Sequence, residues 1–244
     1  MQRHRTSFAD SSTTLAPTSA PPAEVSAATT STNTGAETGS TEPSTTEVSE
    51  GPSAGDIVLP AELIVSPSQG EGPYYPVSKP QDRDNDLLVL DGGSPTSVGT
   101  PLEIFGLLVY DDGPPVVGAA VEIWQVDGSG IYDHPNAPDT ANRDPNFQFY
   151  GEAVTDADGF WTFLTVDPVP YESRPRHIHT KIKIDGVEVL TTQIYFDGDP
   201  LLDGDGLAAA AVEGLVLLTT NAVPGTLTNG LDGLVALHVI VLDT

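Results

Sequence analysis

The residues best suited to chemistry lie in the run from Tyr171 to Ile184, Tyr-Glu-Ser-Arg-Pro-Arg-His-Ile-His-Thr-Lys-Ile-Lys-Ile. From His177 onward the run alternates: His177, His179, Lys181 and Lys183 against Ile178, Thr180, Ile182 and Ile184. Side chains two apart on a strand leave on the same face. The spacing therefore predicts a strand that turns both imidazoles toward one point. Neutral imidazole is the commonest nitrogen ligand for transition metals, so two converging rings make half of a metal site. The same alternation also describes two half-exposed histidines on a polar strand face. The chain has no cysteine, which excludes a disulfide framework and a thiolate metal site. Any further donor must be His, Asp, Glu or Tyr. A tyrosine phenolate is a hard donor that suits ferric iron, and a coordinated cation favours the deprotonated phenol. Two Tyr with two His would place two negative charges on Fe(III) and discourage its reduction.

The elements that must position these residues read as β structure. Strand patterns run over 102–110, 119–125, 151–155, 160–165 and 191–196, separated by turns such as Asp111-Asp-Gly-Pro-Pro115 and Asp156-Ala-Asp-Gly159. Asp185-Gly186 is a hairpin signal. Residues 207–218 are rich in Ala, Val and Leu and fit either a short helix or a strand, and 233–242 reads as one closing apolar strand. Many short strands with regular turns and little helix predict an all-β, antiparallel β-sandwich with long loops forming the site. Residues 1–55 are dominated by Ser, Thr, Ala, Pro, Gly and Glu. Little there can form a core, so the expectation is a disordered tail or linker, with the folded domain over 56–244.

With 244 residues and a formal net charge of -26 from only 9 Lys+Arg, the chain is a poor partner for nucleic acid or an anionic membrane. No apolar run reaches membrane-spanning length. The tail has the style of a segment that follows a signal peptide or lipid anchor. Met1-Gln-Arg-His-Arg-Thr is a basic start with no apolar h-region after it. An extracytoplasmic or secreted location is an expectation from the tail alone.

Several pieces in order resemble the intradiol ring-cleavage dioxygenases, the family of protocatechuate 3,4-dioxygenase and catechol 1,2-dioxygenase. They are Glu71-Gly-Pro-Tyr-Tyr-Pro76, Val121-Glu-Ile-Trp-Gln125, Gly130-Ile-Tyr132, Asp144-Pro-Asn-Phe147, Thr155-Asp-Ala-Asp-Gly159, Pro170-Tyr171, Arg174-Pro-Arg-His-Ile-His179 and Thr192-Gln-Ile-Tyr-Phe-Asp-Gly-Asp-Pro200. The resemblance implies non-haem Fe(III) held by Tyr132, Tyr171, His177 and His179. It implies Tyr171 and His179 as axial ligands, and a catecholic substrate cleaved with O2 to a cis,cis-muconate-type diacid. It gives Arg174 the task of stabilising negative charge on the ring, places Gln193 in the same pocket, and sets Tyr74 and Tyr75 at its mouth. The expected partners are a small catechol-type substrate and O2, and a homodimer stays open. The loop from Tyr171 to His177 is shorter than in the protocatechuate enzymes, and the helical N-terminal dimerisation region of the catechol enzymes has no counterpart.

Other residues read more plainly. His134 is a loop residue, His238 a satisfied core histidine in the last strand, and Arg174 and Arg176 also fit solvated charges. The acidic stretch 197–205 lacks a full calcium-loop spacing and reads as a solvated turn. A second function class fits the frame: Gly118-Ala-Ala-Val-Glu-Ile with Thr155-Asp-Ala-Asp-Gly-Phe-Trp-Thr-Phe also suits a transthyretin-like or carboxypeptidase-regulatory-like β-sandwich spacer. Such a module has no need of the Tyr/Tyr/His/His set.

Overall fold

A computed structural model describes residues 52–95, 97–210 and 218–244. Residues 1–51 of the expected tail and 211–217 of the ambiguous Ala/Val/Leu segment lie outside them. In chain order the described strands are β1 (Pro101–Tyr110), β2 (Ala120–Trp124), β3 (Tyr150–Val154), β4 (Phe160–Val166), β5 (His177–Ile184), β6 (Val187–Phe196), β7 (Thr219–Thr220), β8 (Ala222–Thr226), β9 (Asp232–Leu237) and β10 (Ile240–Leu242). The described α-helix, α1, spans Gly206–Ala210, so the start of that segment is helical.

The strands form two five-stranded sheets, one ordered β3-β2-β5-β6-β7 and the other built from β1, β4, β8, β9 and β10. Antiparallel pairs dominate, but β9 and β10 run parallel to β1 and β7 runs parallel to β6. The sheets are therefore mixed rather than purely antiparallel. Leu102, Ile104 and Leu108 of β1 and Phe163 of β4 meet Val121, Ile123, Ile178, Ile182 and Ile194 of the facing sheet in one core. Each such side chain, fully buried, contributes roughly 1.5–3 kcal/mol.

Two segments close the sandwich. The polar turn 83–86 bonds to both sheets, with Glu152 N–H donating to Arg83 O at 2.8 Å and Leu164 N–H to Asn85 O at 2.8 Å. This drives Leu87 and Leu88 into the core. On the outer face of the β1 sheet, Ala54, Ile57, Leu59 and Leu63 cover Leu107, Val109 and Val241.

The apolar stretch 233–242 is interrupted at His238 and Val239, yet Leu234 faces Leu102 and Ile240 faces Leu108 in one register along β1. The cause is Gly106. A Cβ there would lie 1.6 Å from the His238 carbonyl oxygen, so the final strand presses onto β1 where β1 has no side chain. His238 is buried as expected, but its Nε2 meets no hydrogen-bond partner among the described residues, so the ring is not fully satisfied within them.

The other sheet has an unusual outer face. Its inner face is mainly apolar, with Ile178, Ile182, Ile194 and Phe196 in the core; its outer face carries Glu122 and Trp124 from β2, His177, His179 and Lys181 from β5, and Gln193 and Tyr195 from β6, all of them buried. Cross-strand register sets these side by side, with His179 between Trp124 and Gln193 and His177 beside Tyr195. Loops before β1, after β2 and before β5 cover that face.

Candidate functional site

Period-two alternation in β5 delivers both imidazoles to one place. Their Nε2 atoms lie 3.3 Å apart and the rings are nearly perpendicular, at 79°. Two nitrogens each about 2.0–2.1 Å from a shared metal, at right angles, would be separated by about 3 Å. The His177 Nδ1–H donates to Pro175 O at 2.7 Å, which leaves Nε2 as the free lone pair. Burial, aided by the Arg174 charge, lowers the His177 pKa to about 4, and burial followed by the neighbouring His177 holds His179 well below the usual range. Both rings are neutral donors at neutral pH.

Tyr132 arrives on the loop after β2, which Asp127 organises from inside. Its Oδ1 accepts from Ser129 N–H at 2.8 Å and Ile131 N–H at 3.1 Å, and its Oδ2 accepts from Asp144 N–H at 2.8 Å. Gly130, at φ +84°, turns this loop against the Tyr171 loop; a Cβ there would be 3.3 Å from Val169 and 3.5 Å from Pro170 O. Tyr171 sits in a tight turn closed by Arg174 N–H donating to Tyr171 O at 2.9 Å, with Glu172 at φ 50°. The Tyr171 ring stands 5.3 Å from Tyr132 and 5.5 Å from His177, and Tyr132 stands 6.2 Å from His179.

Four sequence-expected donors thus converge. Among the described residues no three His, Asp or Glu side chains gather as a metal site, so a cation at the His pair would draw on phenols. The donor set fits ferric iron on three counts. The two Nε2 atoms face each other as lone pairs. The Tyr132 hydroxyl is buried and makes no hydrogen bond of normal geometry among the described residues, although the Tyr171 phenol is close enough to act on it. Burial raises the Tyr132 pKa well above its ordinary value and raises Tyr171 too, while Arg174 pulls both down. Such phenols need a cation beside them to ionise.

Arg174 is half-buried and ion-paired rather than a free surface charge. Its Nε donates to Asp205 Oδ2 at 2.5 Å, and its Nη2 donates to Gln193 Oε1 at 2.7 Å and to Tyr195 Oη at 3.3 Å. The Tyr195 hydroxyl donates to Gln69 Oε1 at 2.9 Å, and burial pushes its pKa up to about 12. Arg176 is equally engaged, gripping Asp167 through two contacts of 2.9 Å and Asp199 at 3.3 Å. The acidic stretch 197–205 is accordingly no solvated turn at its functional ends. Asp199 and Asp205 are buried against the two arginines, and Asp205 also caps α1 by accepting from Ala208 N–H at 2.7 Å.

The two loop tyrosines divide. Tyr74 lies over the donors, 4.8 Å from Tyr132 and 6.3 Å from Tyr171. Tyr75 turns away, its hydroxyl donating to Glu122 at 2.7 Å and its ring edge-on to Trp124 at 4.9 Å. His134 is buried on its loop, 5.6 Å from Tyr74. Sequence reasoning did not single out Asp127, Asp205, Tyr195 or Gln69. For Asp127 a signal existed, an Asp immediately before a Gly-Ser-Gly turn; the other three reveal themselves only through partners distant in the chain.

Residues 70–242 match a protein-family model described as Dioxygenase. Curated relatives include the protocatechuate 3,4-dioxygenase beta chain of Burkholderia cepacia, 37% identical over 134 residues that make up 52% of this chain and 56% of the relative. Catechol 1,2-dioxygenase 1 of Acinetobacter lwoffii is 32% identical over 184 residues, 66% of this chain and 55% of the relative. The chain thus spans about half the length of these curated relatives. Among solved structures, the dioxygenase domain of a dioxygenase carbohydrate-binding protein fusion from Streptomyces sp. SirexAA-E is similar, with 30% identity and a TM-score of 0.59 over 74% of this chain and 99% of that one. An intradiol ring-cleavage dioxygenase from Tetranychus urticae follows at 26% identity and 0.58, covering 74% and 95%.

Proposed function

We propose, for a chain that belongs to the intradiol ring-cleavage dioxygenase family, that it opens the ring of a catecholic substrate between its two hydroxyl-bearing carbons. One O2 is consumed per ring and both oxygen atoms enter a cis,cis-muconate-type diacid. The observation that carries this reading is the convergence of Tyr132, Tyr171, His177 and His179 on one buried point, with the two Nε2 atoms 3.3 Å apart. Tyr132, Tyr171, His177 and His179 would hold non-haem Fe(III), which supplies the means of chelating the diol and making its ring reactive toward O2.

The chain's own residues set the rest. His177 and His179, neutral through burial, offer lone pairs and no competing protons. Tyr132 and Tyr171 provide negative charge when ionised and can take up protons that a diol gives up on binding. Arg174 lies within the electrostatic reach of both phenols, where a fixed guanidinium stabilises negative charge developing on the ring. Asp205 and Gln193 hold that guanidinium in place. Tyr74 lines the ring's position; Tyr75 supports it from behind Trp124. The spacer reading accounts for the two sheets but gives no reason to bury two histidines, two phenols and an arginine together.

Oxygen uptake by the iron-loaded chain with catechol and substituted catechols tests the proposal. One O2 consumed per ring, with a ring-opened diacid as product, supports it. Uptake with an extradiol aldehyde product, or none with any diol, contradicts it.

A further inference from the structure

The two candidate histidine ligands are held by different means. A ligating histidine ordinarily donates its second ring N–H to an acceptor, which fixes the tautomer and the ring's orientation. His177 does so through Pro175 O at 2.7 Å. The His179 Nδ1 is buried and meets no hydrogen-bond partner among the described residues. The χ2 torsion of histidine is broad and roughly two-fold. A ring without that hydrogen bond would exchange Nε2 for Cε1 at the ligating position unless something else clamped it.

The clamp is aromatic. The His179 ring lies flat on the Trp124 indole, with centroids 4.8 Å apart and planes within 7°. The two residues are direct cross-strand partners. A Cβ on Gly72 would lie 3.1 Å from His179 Cε1 and 3.6 Å from Nε2, so the covering loop closes on the ligating edge of the same ring. Trp124 is itself immobilised. It is 1% exposed, Tyr75 packs edge-on at 82°, and the Tyr75 hydroxyl is anchored on buried Glu122. Glu122 in turn is held by Lys79 and Lys183, each at 2.7 Å. Glu122, Tyr75, Trp124 and His179 form one line of support running from the sheet to the donor set.

We propose that Trp124 is the positioning residue for His179, replacing with a flat aromatic face the hydrogen bond that orients an ordinary histidine ligand. The inference rests on the iron reading above. Trp124 touches neither iron nor substrate in this account; it acts through the imidazole. The ring must face Trp124 with little rotational freedom, and a substituent that fills the same volume without a flat face releases it.

The test measures Fe(III) affinity of the full chain by competition with a chelator, together with thermal stability of the metal-free protein. Trp124→Phe keeps a ring face; Trp124→Met fills the volume flexibly. Trp161→Met is the control, a Trp of equal burial packed on Phe163 in the other sheet. Trp124→Met is expected to bind iron at least about tenfold more weakly, the size of effect seen when an outer-shell partner is lost. Trp124→Phe should recover most of that affinity. Trp161→Met should lose stability and keep wild-type affinity. Equal affinity in wild type and Trp124→Met overturns the inference, as does an equal loss in Trp161→Met. Should Trp124→Met not fold, Gly72→Ala on the covering loop disturbs the same ring, and unchanged iron affinity there overturns the clamp. Wild type that takes up no iron contradicts the metal reading and this inference with it.

Discussion

Two fully buried histidines, one beside each sheet, show what burial alone does and does not create. Among the described residues His179 and His238 each leave one ring nitrogen without a partner, and burial lowers the pKa of both. His238 borders a cavity of about 160 Å3 lined by Leu63, Ile64, Leu237 and Val241 together with Glu62, Ser66 and Thr219, and among the described residues no second imidazole and no phenol joins it there. Around His179 stand a second imidazole and two phenols whose own pKa values are raised by burial. An isolated depressed histidine is a folding cost. Several desolvated donors aimed at one point are costly together unless a cation neutralises them.

Substitutions at the two places should separate these roles, beginning with the donors. His179→Ala or Tyr132→Phe is expected to retain less than about a tenth of the wild-type iron, because a ligand is lost from a four-residue set. Metal analysis after gel filtration reads this directly, and full retention by either variant would remove that residue from the ligand set. His238→Phe should leave iron content unchanged.

The next effect belongs to Arg174. Arg174→Ala is expected to keep iron and lower turnover by about 10²–10³, the usual loss when one fixed electrostatic donor goes. Unchanged turnover would remove its proposed role. Asp205→Asn should cost less, about tenfold, because Gln193 and Tyr195 still grip Nη2. A loss as large as that of Arg174→Ala would mean that Asp205, not the whole network, sets the guanidinium.

A separate effect, on stability rather than turnover, distinguishes His238 by its pH dependence. Its pKa is about 4 in the folded chain against about 6.5 unfolded. The unfolded chain therefore binds the extra proton first, and stability falls as pH drops from 6.5 toward 4. For this one group the loss reaches about 3 kcal/mol at pH 4. His238→Phe should flatten the urea-midpoint profile over that window in the metal-free protein and leave it unaltered above pH 7. A profile as steep as wild type would place the acid sensitivity elsewhere.

The sequence made local periodicity legible and long-range partners illegible. The His177/His179 face and the Asp185-Gly186 hairpin follow from alternation and turn chemistry within a few residues. Asp205 read as solvent-facing because Arg174, the charge that buries it, lies 31 positions earlier. The break at His238 was hidden because its cause, Gly106, sits in a strand near the other end of the domain. Tyr74 and Tyr75 are adjacent and alike, yet Glu122 claims the second hydroxyl and leaves the first ring over the donors. The family-like order of motifs supplies what periodicity cannot, namely which two of seven tyrosines to expect beside the histidines.

Two phenols and two imidazoles are proposed to hold ferric iron at one buried point. A visible absorption spectrum of the iron-loaded chain, taken before and after anaerobic addition of catechol, tests it most directly. The expected result is a broad tyrosinate-to-Fe(III) charge-transfer band that moves to longer wavelength when catechol binds. A protein that stays colourless after reconstitution with iron would contradict it.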